Sequence, residues 1–240
     1  MTMRAAVIGA SGGIGGALVK ALAGRDADVE VHALSRSGGA PLGPSVSHHP
    51  IDICDEGSIS AAASAIKAAS GQLDLVIVAT GILSDGETLM PEKAFRDQSM
   101  AAFELVFKIN TFGPALVAKH FLPLLPRKAR GVFAALSARV GSITDNSLGG
   151  WHAYRASKTA LNMLIKSYAL ELSRRNDQAI CVGLHPGTVA TPLSERFTGG
   201  IRHDVFTPDT SAGHLLDVIE NLVPDDSGHV LDWKGDRIPA

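Results

Sequence analysis

Cysteine is almost missing from this chain: two residues in 240, Cys54 and Cys181, neither in a Cys-x-x-Cys pair. That excludes a disulfide framework and suits a reducing, cytoplasmic compartment. Charge of one sign is also lacking. Lys and Arg number 22 against 24 Asp and Glu, a formal net charge of -2, so no basic field invites nucleic acid or anionic membrane. No uninterrupted apolar run approaches the roughly 20 residues that span a bilayer. Met1 to Arg4 lead straight into an apolar run at Ala5 without the long apolar core of a signal peptide. The histidines, His48 and His49 included, show no metal-ligand spacing.

What is present is an alternation of short apolar runs with longer helical ones. Strands are expected at 5–8, 29–34, 46–51, 73–79, 131–136, 179–184 and 229–231, and helices at 14–23, 56–69, 96–122, 154–175 and 211–222. Such alternation argues for an α/β fold, a doubly wound, mostly parallel seven-stranded sheet with helices on both faces. No internal repeat or linker divides the chain, so residues 1–240 are read as one domain.

Two motifs carry chemistry. Gly9, Ala10, Ser11, Gly12, Gly13, Ile14 and Gly15 join the first strand to the first helix. Glycines let the backbone turn tightly and approach a pyrophosphate, and the helix N-terminus offers free N–H groups and a positive dipole end. The spacing, Gly9-x-x-x-Gly13-x-Gly15, differs from the common G-x-G-x-x-G fingerprint. The second motif, Tyr154-x-x-x-Lys158, puts a phenol and an ammonium on one helix face. Reducing a carbonyl by hydride leaves an alkoxide that needs a proton. A phenol with pKa about 10 exchanges protons poorly at neutral pH, and a nearby ammonium lowers that value.

Together these motifs resemble the classical short-chain dehydrogenase/reductase family over nearly the whole chain. The resemblance implies a Rossmann fold binding a nicotinamide dinucleotide. It implies that Asp52 and Ile53 contact the adenine, and that Ala79, Thr80 and Gly81 stand at the family's Asn-Asn-Ala-Gly turn, without its asparagines. It further implies that Lys158 holds the nicotinamide ribose, that Asn110 holds a water in the proton relay, and that Pro186, Gly187 and Thr188 face the nicotinamide. The text around Ser137 to Ser142, Gly149 to Trp151 and Tyr154 to Lys158 is similar to the branch of C-factor signalling proteins and Sniffer carbonyl reductases.

The second strand ends at His32, Ala33, Leu34, Ser35 and Arg36, with no carboxylate to bond a 2′-hydroxyl. Arg36 offers a fixed guanidinium fork to a 2′-phosphate, with Ser35 and Ser37 as further donors, so NADP(H) is expected over NAD(H). The family's substrate-orienting serine is displaced in this sequence. Ala138 occupies the second-serine position, leaving Ser137, through a shifted strand end, or Ser142 from the loop; Ser137 is the expectation carried forward.

Residues 188–206, with Leu193, Phe197, Ile201 and a Gly199–Gly200 hinge, would wall an apolar substrate. Apolar surplus on helices 96–122 and 154–175 suggests a homo-oligomer, a dimer in the family. The expected activity is an oxidoreductase moving a hydride between NADP(H) and a small-molecule carbonyl or alcohol. The rival is a nucleotide-binding signalling or redox-sensing protein on the same fold, though a pure sensor has no need of both Tyr154 and Lys158. An isomerase or dehydratase is a third reading.

Overall fold

The computed structural model describes residues 2–25, 28–37, 43–194 and 204–240. Among the described residues the strands run β1 (Met3–Ile8), β2 (Val29–Ser35), β3 (Val46–Pro50), β4 (Leu75–Val78), β5 (Gly131–Leu136), β6 (Ala179–His185), β7 (Thr188–Val189), β8 (Val205–Phe206) and β9 (Val230–Asp232). The α-helices that accompany them there are α1 (Gly13–Ala23), α2 (Glu56–Ser70), α3 (Met100–Phe107), α4 (Gly113–Phe121), α5 (His152–Ser173) and α6 (Pro208–Asn221).

Seven strands form one sheet in the order β3-β2-β1-β4-β5-β6-β9, every pair parallel. Strands covered on both faces read as continuous apolar runs, and alternate side chains go to opposite cores. Ala5, Val7, Leu75 and Ile77 pack with Leu18 and Leu22 of α1 and Leu215 and Leu216 of α6. Ala6, Ile8, Val76 and Val78 pack with Ile59 of α2, Phe121 of α4 and Ile165 of α5. Strand order reverses between β1 and β4, and a ligand crevice opens at such a switch point beyond the strand C-termini. There the Gly9 N–H bonds Leu34 O and the Ala79 N–H bonds Ile8 O, both at 2.8 Å.

The long helix expected at 96–122 is corrected at both ends. Phe95–Asp97 is an isolated 3-10 turn, and α3 starts at Met100 because the Ser99 side chain accepts the Ala102 N–H as its cap. A π turn, Lys108–Phe112, joins α3 to α4, and Leu122–Leu124 tightens into a 3-10 turn. By length and composition Met100–Leu124 could cross a membrane; here Val117, Ala118 and Phe121 are buried in the sheet core. Helix α6 starts at Pro208 behind the Thr207 cap, and α5 at His152. The two-residue parallel pair β7–β8 had no sequence signal.

Candidate active site

The turn after β1 needs glycine for two separate reasons. Gly9 has φ +92, a left-handed conformation costly for other residues. A Cβ on Gly15 would stand 2.1 Å from Gly9 O, so α1 could not sit this close to the turn. Gly15→Ala is therefore expected to destabilise the protein by about 3 kcal/mol or more, read as a lower urea midpoint. The first turn of α1 has no side-chain cap, which leaves its N–H groups available to an anion.

A cleft of about 270 Å³ opens beside this turn, lined among others by Gly9, Ser11, Arg36, Asp52, Ile53, Ala79, Thr80 and Gly81. These residues, assigned to the cofactor from sequence, thus share one cavity, and Ser35 lines it with them. Gly13, Ile14 and Gly15 do not line it; Gly13 lies against Thr191 and Gly15 against Gly9. Cys54, Ile82 and Ile109 line the cleft without having been singled out, because an apolar wall carries no motif. Burial, then the neighbouring Asp52, pushes the Cys54 thiol up. Asp52 Oδ1 accepts the Cys54 N–H at 2.9 Å.

The donor set fits a dinucleotide. Thr80 Oγ1 is buried on the cleft wall with no hydrogen-bond partner among the described residues, and a bound polar ligand would supply one. Arg36 is exposed at the rim, and no carboxylate pairs with it among the described residues.

Lys158 is buried, and its Nζ donates to Leu136 O at 2.8 Å. Nζ also lies 5.9 Å from the Tyr154 ring centroid and 3.7 Å from where a Gly81 Cβ would stand. Among the described residues the Tyr154 hydroxyl makes no hydrogen bond. The depression expected from the ammonium is opposed by burial. Burial pushes the phenol up to about 12 and the Lys158 ammonium down to about 8. Desolvation outweighs their mutual interaction, because the ammonium stands off the ring rather than touching the hydroxyl.

Asn110 is fully buried inside the π turn, where the Gly113 N–H bonds Lys108 O five residues back. Such turns recur at functional sites. Its side chain is committed: Oδ1 accepts the Ile82 N–H (2.8 Å), and Nδ2 donates to Ile82 O (2.8 Å) and Ser157 Oγ (3.2 Å). Asn110 thereby braces the turn after β4 against α5.

Neither candidate serine hydrogen-bonds the phenol. Ser137 is buried, and its Oγ donates to Asn162 Oδ1 at 2.5 Å. That is two helical turns beyond Tyr154, about 12 Å along the axis. Ser142 Oγ accepts the Asp145 N–H at 3.0 Å and faces Ala240 O at 3.5 Å. Ser137 shares a sheet face with Ala135, which packs in the α5 core, so the strand pleat turns its hydroxyl inward.

On the far side, Gly187 has φ +76 and lies so close to Phe206 that a Cβ would sit 2.7 Å from its ring. Pro186 O accepts the Ser211 hydroxyl at 2.9 Å, and Thr188 pairs with Val205. These three residues do not line the dinucleotide cleft. A second cavity, about 460 Å³, is lined by Gly81, Ile82, Ser84, Asp85, Gly86, Pro192 and Leu193. Asp85 is no free anion there. Its carboxylate accepts from the Thr88 hydroxyl and the N–H groups of Glu87, Thr88 and Leu89, which hold its pKa well below the carboxylate range. Leu193 belongs to this wall; Phe197, Gly199, Gly200 and Ile201 lie outside the described residues.

Residues 3–200 match the family model described as short chain dehydrogenase. The 1-hydroxy-2-glutathionyl-2-methyl-3-butene dehydrogenase of Rhodococcus sp. (strain AD45) is 31% identical over 230 residues, covering 95% of this chain and 96% of that protein. C-signal of Myxococcus xanthus is 37% identical over 146 residues, 61% of this chain and 83% of that one. Among solved structures, the NADPH-bound carbonyl reductase from chicken fatty liver superposes with a TM-score of 0.85 at 28% identity, over 100% of this chain and 99% of that one.

Proposed function

The chain belongs to the short-chain dehydrogenase/reductase family, and from that premise we propose that it stands near the family's C-factor and carbonyl reductase members and reduces small-molecule carbonyl compounds with NADPH through Tyr154. The family gives the reaction type, hydride transfer between a nicotinamide cofactor and a carbonyl–alcohol pair. One observation carries the rest. The dinucleotide cleft and the second cavity meet at Gly81 and Ile82, beside the Lys158 ammonium.

A nicotinamide cofactor held in the cleft would supply hydride chemistry. Tyr154 supplies the proton to the carbonyl oxygen, its hydroxyl having no hydrogen-bond partner among the described residues. A phenol held protonated by burial is in the form an acid must have. Lys158 places a cation where negative charge develops, held in position by Leu136 O. Asn110 fixes the Ile82 turn that divides the two cavities. With Ser137 and Ser142 committed elsewhere, Ser137→Ala is expected to change kcat/KM by less than about fivefold, its lost bond being one neutral contact.

Arg36 supports NADPH over NADH. Losing a guanidinium–phosphate contact costs about 1.5–3 kcal/mol, or roughly 10–100-fold in affinity. Arg36→Ala should weaken NADPH binding by that factor and leave NADH within about threefold, measured by nucleotide fluorescence titration. Exposed Leu105, Phe112, Met163 and Leu170 on and between α3 and α5 support a homodimer formed through these helices. Two unpaired thiols support a cytoplasmic location. The signalling alternative is less favoured, since it leaves the Tyr154–Lys158 pair without a task.

The test is NADPH oxidation by purified protein against aldehydes, ketones and quinones, with NADH in parallel. Turnover faster with NADPH supports the reading; tight nucleotide binding without turnover on any carbonyl contradicts it.

A further inference from the structure

Helix α5 carries both Tyr154 and Lys158, so whatever seats its first turn also seats the phenol. A helix start leaves N–H groups without partners, and a Ser, Thr, Asp or Asn at the cap position normally accepts one. Here that position holds Trp151, whose side chain makes no cap bond. Trp151 is moreover left-handed, φ 51, the sole non-glycine with positive φ among the described residues. It follows Gly149 and Gly150, both at φ 65. A left-handed residue with a Cβ costs roughly 1–2 kcal/mol and persists where its surroundings hold it.

What holds it is Glu92, from the segment between β4 and α3. Glu92 O accepts the Trp151 N–H at 2.6 Å, and both carboxylate oxygens stand 3.3 Å from the Ala153 N–H. The cap is thus delivered from 61 residues away in sequence. Glu92 is only 4% exposed, and among the described residues no cation pairs with its carboxylate. The positive end of α5 is the partner that its charge meets. Arg155 completes the clamp, donating to Gly149 O, Gly150 O and Val140 O. Trp151 then stands edge-on to Tyr154, ring centroids 6.3 Å apart.

We propose that Glu92 is a positioning residue for the reaction: it caps the catalytic helix in place of a local cap and so fixes Tyr154 relative to the loop that walls the second cavity. The proposal rests on the reading of Tyr154 as the proton donor. The same segment contributes Gly81, Ile82, Ser84, Asp85 and Gly86 to that cavity, so one tether ties the acid to the wall it works against.

The test compares Glu92→Ala, Glu92→Gln and the exposed neighbour Lys93→Ala with wild type. Readouts are kcat and KM for the best carbonyl, NADPH affinity, and amide hydrogen exchange over residues 151–155. Glu92→Ala should lower kcat about 30–100-fold with NADPH affinity within threefold, since a displacement of about 1 Å at a reacting group costs up to about 10² in rate. Exchange should accelerate in the first turn of α5. Glu92→Gln, which keeps an oxygen to accept the Ala153 N–H, should recover kcat to within about fivefold of wild type, and Lys93→Ala should match wild type. Wild-type kcat and exchange in Glu92→Ala would overturn the proposal. So would an equal fall of kcat, NADPH affinity and exchange protection throughout the chain in both Glu92 variants. Should wild type oxidise no NADPH, the reading of the reaction fails, and exchange confined to the α5 start still decides the tether.

Discussion

Tyr154→Phe protein is expected to bind NADPH as wild type does and to reduce carbonyls about 10²–10⁴-fold more slowly, the range for losing a general acid. The substitution removes one oxygen and leaves the ring in place. That oxygen has no protein partner among the described residues, so no buried group is orphaned and the fold should be unharmed. Direction of reaction adds a second expectation. With the phenol pushed up to about 12 by burial, reduction finds its acid protonated across the neutral range. Alcohol oxidation needs the phenolate, whose fraction rises tenfold per pH unit until that value is reached. Oxidation should therefore climb with pH more steeply than reduction, and the climb should vanish in Tyr154→Phe. Unchanged reduction by Tyr154→Phe, measured as NADPH consumed, would remove Tyr154 from the chemistry.

Lys158→Met should separate activity from stability. Losing the ammonium at the site of developing charge is expected to cost about 10²-fold or more in kcat/KM. Folding should not suffer equally. Burial lowers the Lys158 pKa from 10.5 to about 8, and each unit is worth about 1.36 kcal/mol. Keeping this ammonium charged in the folded protein thus costs about 3 kcal/mol at neutral pH. Methionine removes that cost but leaves Leu136 O without its donor, a loss of about 1–3 kcal/mol. The net expectation is a variant as stable as wild type or up to about 2 kcal/mol more so. The sign with pH follows directly. Between about pH 8 and 10.5 the unfolded chain holds this proton and the folded one does not, so wild-type stability gains a rising component over that window. The variant should lack it. Urea midpoints at neutral and alkaline pH read both effects; a variant several kcal/mol less stable than wild type at neutral pH would contradict this balance.

Much of this was legible in the residues. Strands buried on both faces leave uninterrupted runs such as Ala5 to Ile8 and Val132 to Leu136, and all seven sheet strands were found to within a few residues. The glycine turn was readable because φ +92 at Gly9 and the 2.1 Å approach at Gly15 admit nothing larger. What escaped depends on contacts distant in sequence or on direction. Glu92 sits between Pro91 and Lys93 without a pattern, and only folding brings it to Ala153. Spacing placed Ser137 at a strand end but did not aim it. The pleat could have: Ala135 and Ser137 share a face, and that face looks into the α5 core. The pKa directions escaped because four-residue spacing fixes a helix face, not how much water reaches it.

The most direct measurement follows the hydride itself: NADPH deuterated at the transferring nicotinamide carbon, turned over with the best carbonyl, and the product alcohol analysed by mass and NMR. One deuterium on the carbinol carbon is expected, with labelled alcohol forming about 10²–10⁴-fold more slowly when Tyr154→Phe replaces wild type under the same conditions. NADPH consumed without label at that carbon, or labelled alcohol formed equally by Tyr154→Phe, would contradict hydride transfer to a carbonyl with Tyr154 as its proton donor.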